Sequence, residues 1–121
     1  MSNQLTDSAS ERQIHLAVMD FVNLHPSIKN NVIHIPNEGK RSLTYGGLLK
    51  RMGMRKGVSD LFIAQQHHGF GGAWIELKRK AGTLTADQVK FLNHMESQNY
   101  FTAVCYGIDD TIELIKWYCN L

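Results

Sequence analysis

The chain has 121 residues, 43% of them hydrophobic and 20% charged, a size and balance that suit one globular α/β domain over residues 1–121 and leave little room for two. A chain of this length buries well over half of the surface its unfolded form exposes, so it needs no disulfide framework. The net charge of +2 is too small to argue for a polyanionic partner by itself, and the placement of the basic residues has to decide that question.

The first predicted element is a helix. Ser8 or Ser10 can cap it, and Ser8 with Glu11 three residues on fits a capping box. Ile14, Ala17, Val18, Phe21 and Val22 recur at helical spacing and share a buried face. His25-Pro26 ends the helix, because a residue before proline resists the helical conformation. Val32, Ile33 and Ile35 predict a short strand closed by Pro36. NEGKRS is a turn-like connection, and LTYGGLLKRMGMRKG reads as a short helix or an irregular segment. DLFIA and GAWIELKRK are strands, and the glycines of QQHHGFGG between them suit a hairpin loop. Thr85 caps a helix through VKFLNHMESQ, with Val89, Leu92 and Met95 as its apolar stripe and Phe91 widening it. YFTAVCYG is the last strand and IDDTIELIKWYCN the last helix, capped by Asp109 or Asp110. Helix crossovers between strands predict a mixed central β-sheet flanked by helices, with the strand order left open.

Cys105 and Cys119 stand among apolar neighbours and read as buried thiols of a reducing compartment. The polar start MSNQLTDSASERQ is unlike a secretory signal, and no apolar run has the length of a membrane span. The expectation is a cytoplasmic protein with no membrane association.

The chemistry gathers at the hairpin. Asp60 opens an otherwise uncharged strand, where a carboxylate is costly to desolvate unless paired or bound to a cation. Glu76 and Lys78 are two apart on the next strand, so they share a face, while Ile75 and Leu77 point the other way into the core. An antiparallel pairing brings Asp60 across from Glu76, and a hard divalent cation relieves the repulsion of two such carboxylates. Taken alone, a Glu-x-Lys triplet is as readily an exposed ion pair. His67 and His68 are adjacent on a loop and do not easily face one ion. With no second pair at zinc spacing, they read as loop and surface residues. Trp117 and Tyr118 read as core or interface.

GVSDLFIA, a loop, then GGAWIELKRKAGTLTADQ resembles the catalytic hairpin and following helix of the PD-(D/E)xK nuclease superfamily, and within it the virus-type replication-repair nuclease (VRR-NUC) family. The resemblance covers nearly the whole chain and departs at Ser59, where the family usually has proline. It implies a restriction-endonuclease-like core and a metal-dependent endonuclease acting on DNA, with Mg2+ or Mn2+ as cofactor. Catalysis would fall to Asp60, Glu76 and Lys78. Asp60, Glu76 and the backbone carbonyl of Leu77 would hold the metal, and Lys78 would activate the attacking water. Gln88 would support the site by hydrogen bonding, and Glu11 would complete the metal shell. Glu11 is equally a first-turn residue complementing the helix dipole, Glu38 competes with it as an acidic ligand, and Gln88 is equally an exposed helical glutamine.

Lys40, Arg41, Lys50, Arg51, Arg55 and Lys56 precede the hairpin, and Arg79 and Lys80 follow it. Such a set would bind phosphates without reading sequence, although Lys50 and Arg51 also fit a solvated helix face. The resemblance further implies a homodimer cutting branched DNA such as four-way (Holliday) junctions. A monomeric flap or end-processing nuclease is the first alternative, and a catalytically silent nucleic-acid-binding module the second.

Overall fold

Ser10 opens the first helix, and the computed structural model describes the chain over residues 8–36 and 43–121. Helix α1 (Glu11–Asn23) begins with a capping box made by Ser10 and Gln13, not by Ser8 and Glu11 as the sequence suggests. The Gln13 amide donates to Ser10 Oγ at 3.1 Å and the Ser10 amide donates to Gln13 Oε1 at 2.8 Å. Glutamine serves the box as well as glutamate, and its use leaves the Glu11 carboxylate free of the cap. Ile14, Val18 and Val22, each one turn after the last, are 0% exposed. Burying three such side chains stabilises the fold by about 1.5–3 kcal/mol each.

The sequence stops the first helix at Pro26 but misses what Pro26 starts. Proline is tolerated in a first helical turn, and a short second helix, α2 (Pro26–Lys29), follows at once and buries Ile28. Strand β1 (Val32–His34) comes next, then helix α3 (Leu43–Arg51), which resolves the segment left open above. Strands β2 (Leu61–Ile63) and β3 (Ala73–Lys78) form the expected hairpin, helix α4 (Ala86–Ser97) carries its Thr85 cap, and β4 (Phe101–Tyr106) and α5 (Ile108–Cys119) close the described chain. The N-cap of α5 is Gly107, with φ 90°, and not Asp109 or Asp110. Both aspartates lie in the first turn, where they complement the helix dipole without capping.

The sheet runs β1-β2-β3-β4, antiparallel through the first three strands and parallel between β3 and β4, with α4 as the crossover. Ala73, Ile75 and Leu77 of β3 join α1 and α5 in the core, together with Leu61, Ile63, Ile115 and Tyr118. Trp74, on the other face, meets Phe91 of α4 edge-on at 5.0 Å. The structure is thus α/β, a mixed four-stranded sheet between helices. On α4 only Leu92 of the expected stripe is buried, and Val89 is 41% exposed beside a shallow groove of about 240 Å³ against β4. No helix among the described residues is long and apolar enough to cross a membrane.

Candidate active site

The β2–β3 register pairs Leu61 with Ile75, so continuing it by one step sets Asp60 opposite Glu76. Asp60 is held there by its own side chain: Oδ2 accepts the Leu77 amide at 2.7 Å. Glu76 and Lys78 share a face of β3 as the two-residue period requires, yet both are nearly sealed, at 3% and 7% exposure. An isolated surface ion pair would not look like this.

The Lys78 ammonium lies 3.9 Å from Glu76 Oε1 and 4.0 Å from Glu11 Oε2. Both are long contacts, and they place the lysine between the two carboxylates without tying it to either. Glu11 reaches Lys78 from the first turn of α1, where the Ser10–Gln13 box leaves its carboxylate out of the cap. Gln88 does two jobs. Its Oε1 accepts the Thr85 amide at 2.9 Å within the α4 capping box, and its Nε2 donates to Glu76 Oε1 at 2.8 Å.

The other Glu76 oxygen, Oε2, is buried and receives no hydrogen bond from any amide, hydroxyl or ammonium. Burial pushes the Glu76 carboxyl up from 4.5 to about 8, the negative charge of Asp60 and a proton shared with its carboxyl add to the rise, and Lys78 opposes it. A desolvated carboxylate oxygen beside a second carboxylate is the donor chemistry a hard divalent cation takes. Among the described residues no three of His, Cys, Asp and Glu are grouped so as to hold a metal unaided. Asp60 and Glu76 therefore fit a cation that keeps several waters or takes phosphate oxygens for the rest of its shell, the habit of Mg2+. Ser59, where the resembled family has proline, is fully buried and its hydroxyl finds no partner.

The basic residues are less uniform than their sequence suggests. Lys50 and Arg51 end α3 and are exposed, as are Lys56, Arg79 and Lys80. Arg55 is turned back, its Nη1 donating to the carbonyls of Lys50 and Met54 at 3.3 Å each, which closes the end of α3. The following turn is pressed against the site. Gly57, at φ 79°, passes so near α4 that a Cβ would stand 2.3 Å from the Asp87 carbonyl oxygen and 2.8 Å from the Gln88 amide. Lys40, Arg41 and Glu38 lie outside the described residues.

Two residues that sequence reasoning passed over flank Asp60 on the β1 side. His34 Nδ1 lies 3.1 Å from the Asp60 carbonyl oxygen, and the His15 ring meets the His34 ring edge-on at 4.4 Å and 84°. Burial, and then His34, lower the pKa of His15, while Asp60 raises it. No local pattern announces the pair, since His15 and His34 meet only when α1 lies over β1. His67 and His68 do pack at the opposite end of the hairpin, where they approach the Tyr118 and Trp117 carbonyls that end α5.

The sequence profile of the VRR-NUC domain matches residues 9–109. Among solved structures, a VRR_NUC domain protein is similar with a TM-score of 0.84 at 24% sequence identity, over 94% of this chain and 91% of that chain. That likeness shows the shared fold. No curated protein matches the chain.

Proposed function

The chain belongs to the VRR-NUC domain family, a nuclease family, and on that premise we propose that it is a metal-dependent endonuclease hydrolysing DNA phosphodiester bonds. One observation carries the reading. Asp60 and Glu76 converge at the end of the β2–β3 hairpin, with Lys78 beside them and a buried Glu76 oxygen that receives no hydrogen bond from any amide, hydroxyl or ammonium.

Asp60 and Glu76 would hold a Mg2+ or Mn2+ ion, with the Leu77 carbonyl, water or phosphate oxygens as further donors, while Glu11 faces Lys78 and forms no three-carboxylate cluster with them. Such an ion, when bound, lowers the pKa of a water and stabilises the negative charge that develops on the phosphate. The protein's own part is placement. Gln88 fixes one Glu76 oxygen by a hydrogen bond and so leaves the other free. The Leu77 amide fixes the Asp60 carboxylate. Lys78, lying between Glu11 and Glu76, would donate to a non-bridging phosphate oxygen and so orient the phosphate toward the attacking water, bringing a fixed positive charge that does not compete for the cation. Water attacking in line with the leaving oxygen would form a new P–O bond as the old one breaks, and the proton the water gives up to solvent balances the one the leaving oxygen takes from it.

Arg79 and Lys80 are exposed just beyond Lys78, Lys50, Arg51 and Lys56 are exposed at and after the end of α3, and all five would track the phosphate backbone, with Lys40 and Arg41 in the preceding segment. The finer reading is a homodimer selective for branched DNA such as four-way junctions. A chain with one such centre needs a second copy to cut two strands symmetrically. Its surface support is at the end of α5, where Trp117 and Leu121 are 49% and 48% exposed.

The test is incubation of the purified protein with labelled four-way, flap, duplex and single-stranded DNA, with Mg2+, with Mn2+ and with chelator. Cation-dependent cuts that vanish with chelator are expected, with junctions cut best. Cutting that persists in chelator would overturn metal dependence, preference for flaps would favour a monomeric end-processing enzyme, and tight DNA binding without any cut would favour a silent binding module.

A further inference from the structure

Asp60 stands one residue before β2, at the point where the β1–β2 ladder runs out after the His34–Leu61 pair. A catalytic carboxylate at the frayed end of a three-residue strand needs other restraint, because terminal strand residues open most easily. Two donors supply it on the β1 side. The Ile35 amide donates to the Asp60 carbonyl oxygen at 2.9 Å, and His34 Nδ1 lies 3.1 Å from the same atom. A carbonyl oxygen only accepts and has two lone pairs, so the imidazole must carry its proton on Nδ1. With the Leu77 amide on Oδ2, Asp60 is gripped through backbone and side chain from both neighbouring strands.

Strand pairing alone does not ask for histidine here. His34 is an exposed position on an edge strand, where any β-former would satisfy the ladder. Its ring orientation is itself supported, since His15 meets it edge-on at 4.4 Å from α1. His34 makes the one side-chain hydrogen bond to the Asp60 backbone among the described contacts.

We propose that His34 is a positioning residue that locks the Asp60 backbone and thereby aims its carboxylate at Glu76. The inference rests on the nuclease reading above. Through this role His34 affects turnover and cation affinity but not DNA affinity, because it acts on Asp60 and not on the phosphate chain.

Three substitutions test it. His34→Asn puts an N–H donor where Nδ1 sits, His34→Gln puts one where Nε2 sits, and His34→Ala removes the donor. Loss of a group that orients a metal-ligating side chain typically costs about 10- to 100-fold in activity or metal affinity. His34→Ala and His34→Gln should therefore lose roughly tenfold or more in kcat and in Mn2+ affinity by calorimetry, with KM for DNA unchanged. His34→Asn should stay within a few-fold of wild type. If His34→Ala fails to fold, the comparison of Asn with Gln decides alone. Wild-type turnover in His34→Ala, equal rescue by Gln and Asn, or a change confined to KM would each overturn the role. A wild-type protein that cuts no DNA would fail the nuclease reading separately. In that case 15N NMR of the His34 ring still decides the hydrogen bond: a neutral ring protonated on Nε2 alone would overturn it.

Discussion

Glu76 concentrates the tension of the site in one side chain. It is nearly sealed from solvent, has one oxygen that receives no hydrogen bond from any amide, hydroxyl or ammonium, and keeps its proton up to about pH 8. Between about 4.5 and 8 the folded protein holds a proton that the unfolded chain has released. The stability from this group is thus fully present below the lower value and is lost as pH rises through the upper one. Metal-free wild type should lose melting temperature from pH 5 to pH 8 relative to Glu76→Gln, which has no charge to bury. Scanning calorimetry showing parallel pH curves for the two proteins would contradict this. Cation binding must displace the same proton, so metal affinity should climb across that window. In the assay, Glu76→Gln or Asp60→Asn should cut cleavage by on the order of a thousandfold, the several kcal/mol a bound cation supplies to the transition state. Near wild-type rates in either variant would sink the site assignment. Lys78→Ala should lose cleavage yet bind Mn2+ in calorimetry, because its ammonium is a donor and not a ligand. Disappearance of metal binding along with activity would refute that division of roles.

Elements hold these side chains, and their ends matter more than their middles. The capping box of α4 uses Gln88 twice, once for the Thr85 amide and once for Glu76, so the start of this helix and the site are set by the same amide group. The box is readable locally, from Thr85 and a glutamine three residues on. What presses on it is not. Gly57 packs against Asp87 and Gln88 at a distance no Cβ tolerates, and its positive φ of 79° strains any other residue besides. Gly57→Ala should therefore cost about 1–3 kcal/mol of stability and displace the first turn of α4. Cleavage should drop with it even where thermal denaturation shows the protein still folded. Full activity with a lowered melting temperature would mean that the turn moves without taking Gln88 along. The first helix teaches a similar lesson. Ser8–Glu11 and Ser10–Gln13 both fit a box, and the choice of the second leaves the Glu11 carboxylate to face Lys78.

At the scale of the whole molecule, the sheet puts its chemistry at one end and its exposed aromatics at the other. Asp60, Glu76 and Lys78 lie where β2 begins and β3 ends, while His68 stacks on Trp117 at 4.2 Å beside the hairpin turn. Tyr118 is wholly buried and belongs to the core, but Trp117 is half exposed, and aromatic surface of this kind is typical of interface cores. If Trp117 and Leu121 meet a second copy, light scattering at micromolar concentration should give twice the 13.7 kDa chain mass. Trp117→Lys should then halve that mass and abolish paired cutting of junctions, leaving single nicks. A monomeric wild type that still resolves junctions would refute the dimer.

The sequence by itself determined most of the elements, though not the short α2 or the helical form of α3, together with the hairpin, the shared face of Glu76 and Lys78, and the Thr85 cap of α4. Each of these follows from a period of two, a period of 3.6 or a turn within a few residues, which local geometry encodes. Only the tertiary structure decided how deeply β3 is buried, that β4 runs parallel beside it, where Glu11 ends up, how closely Gly57 approaches α4, and that His34 reaches the Asp60 backbone. Those contacts join residues far apart in the chain. Their geometry depends on strand register and on the way α1 and α4 settle against the two faces of the sheet, neither of which a local pattern specifies.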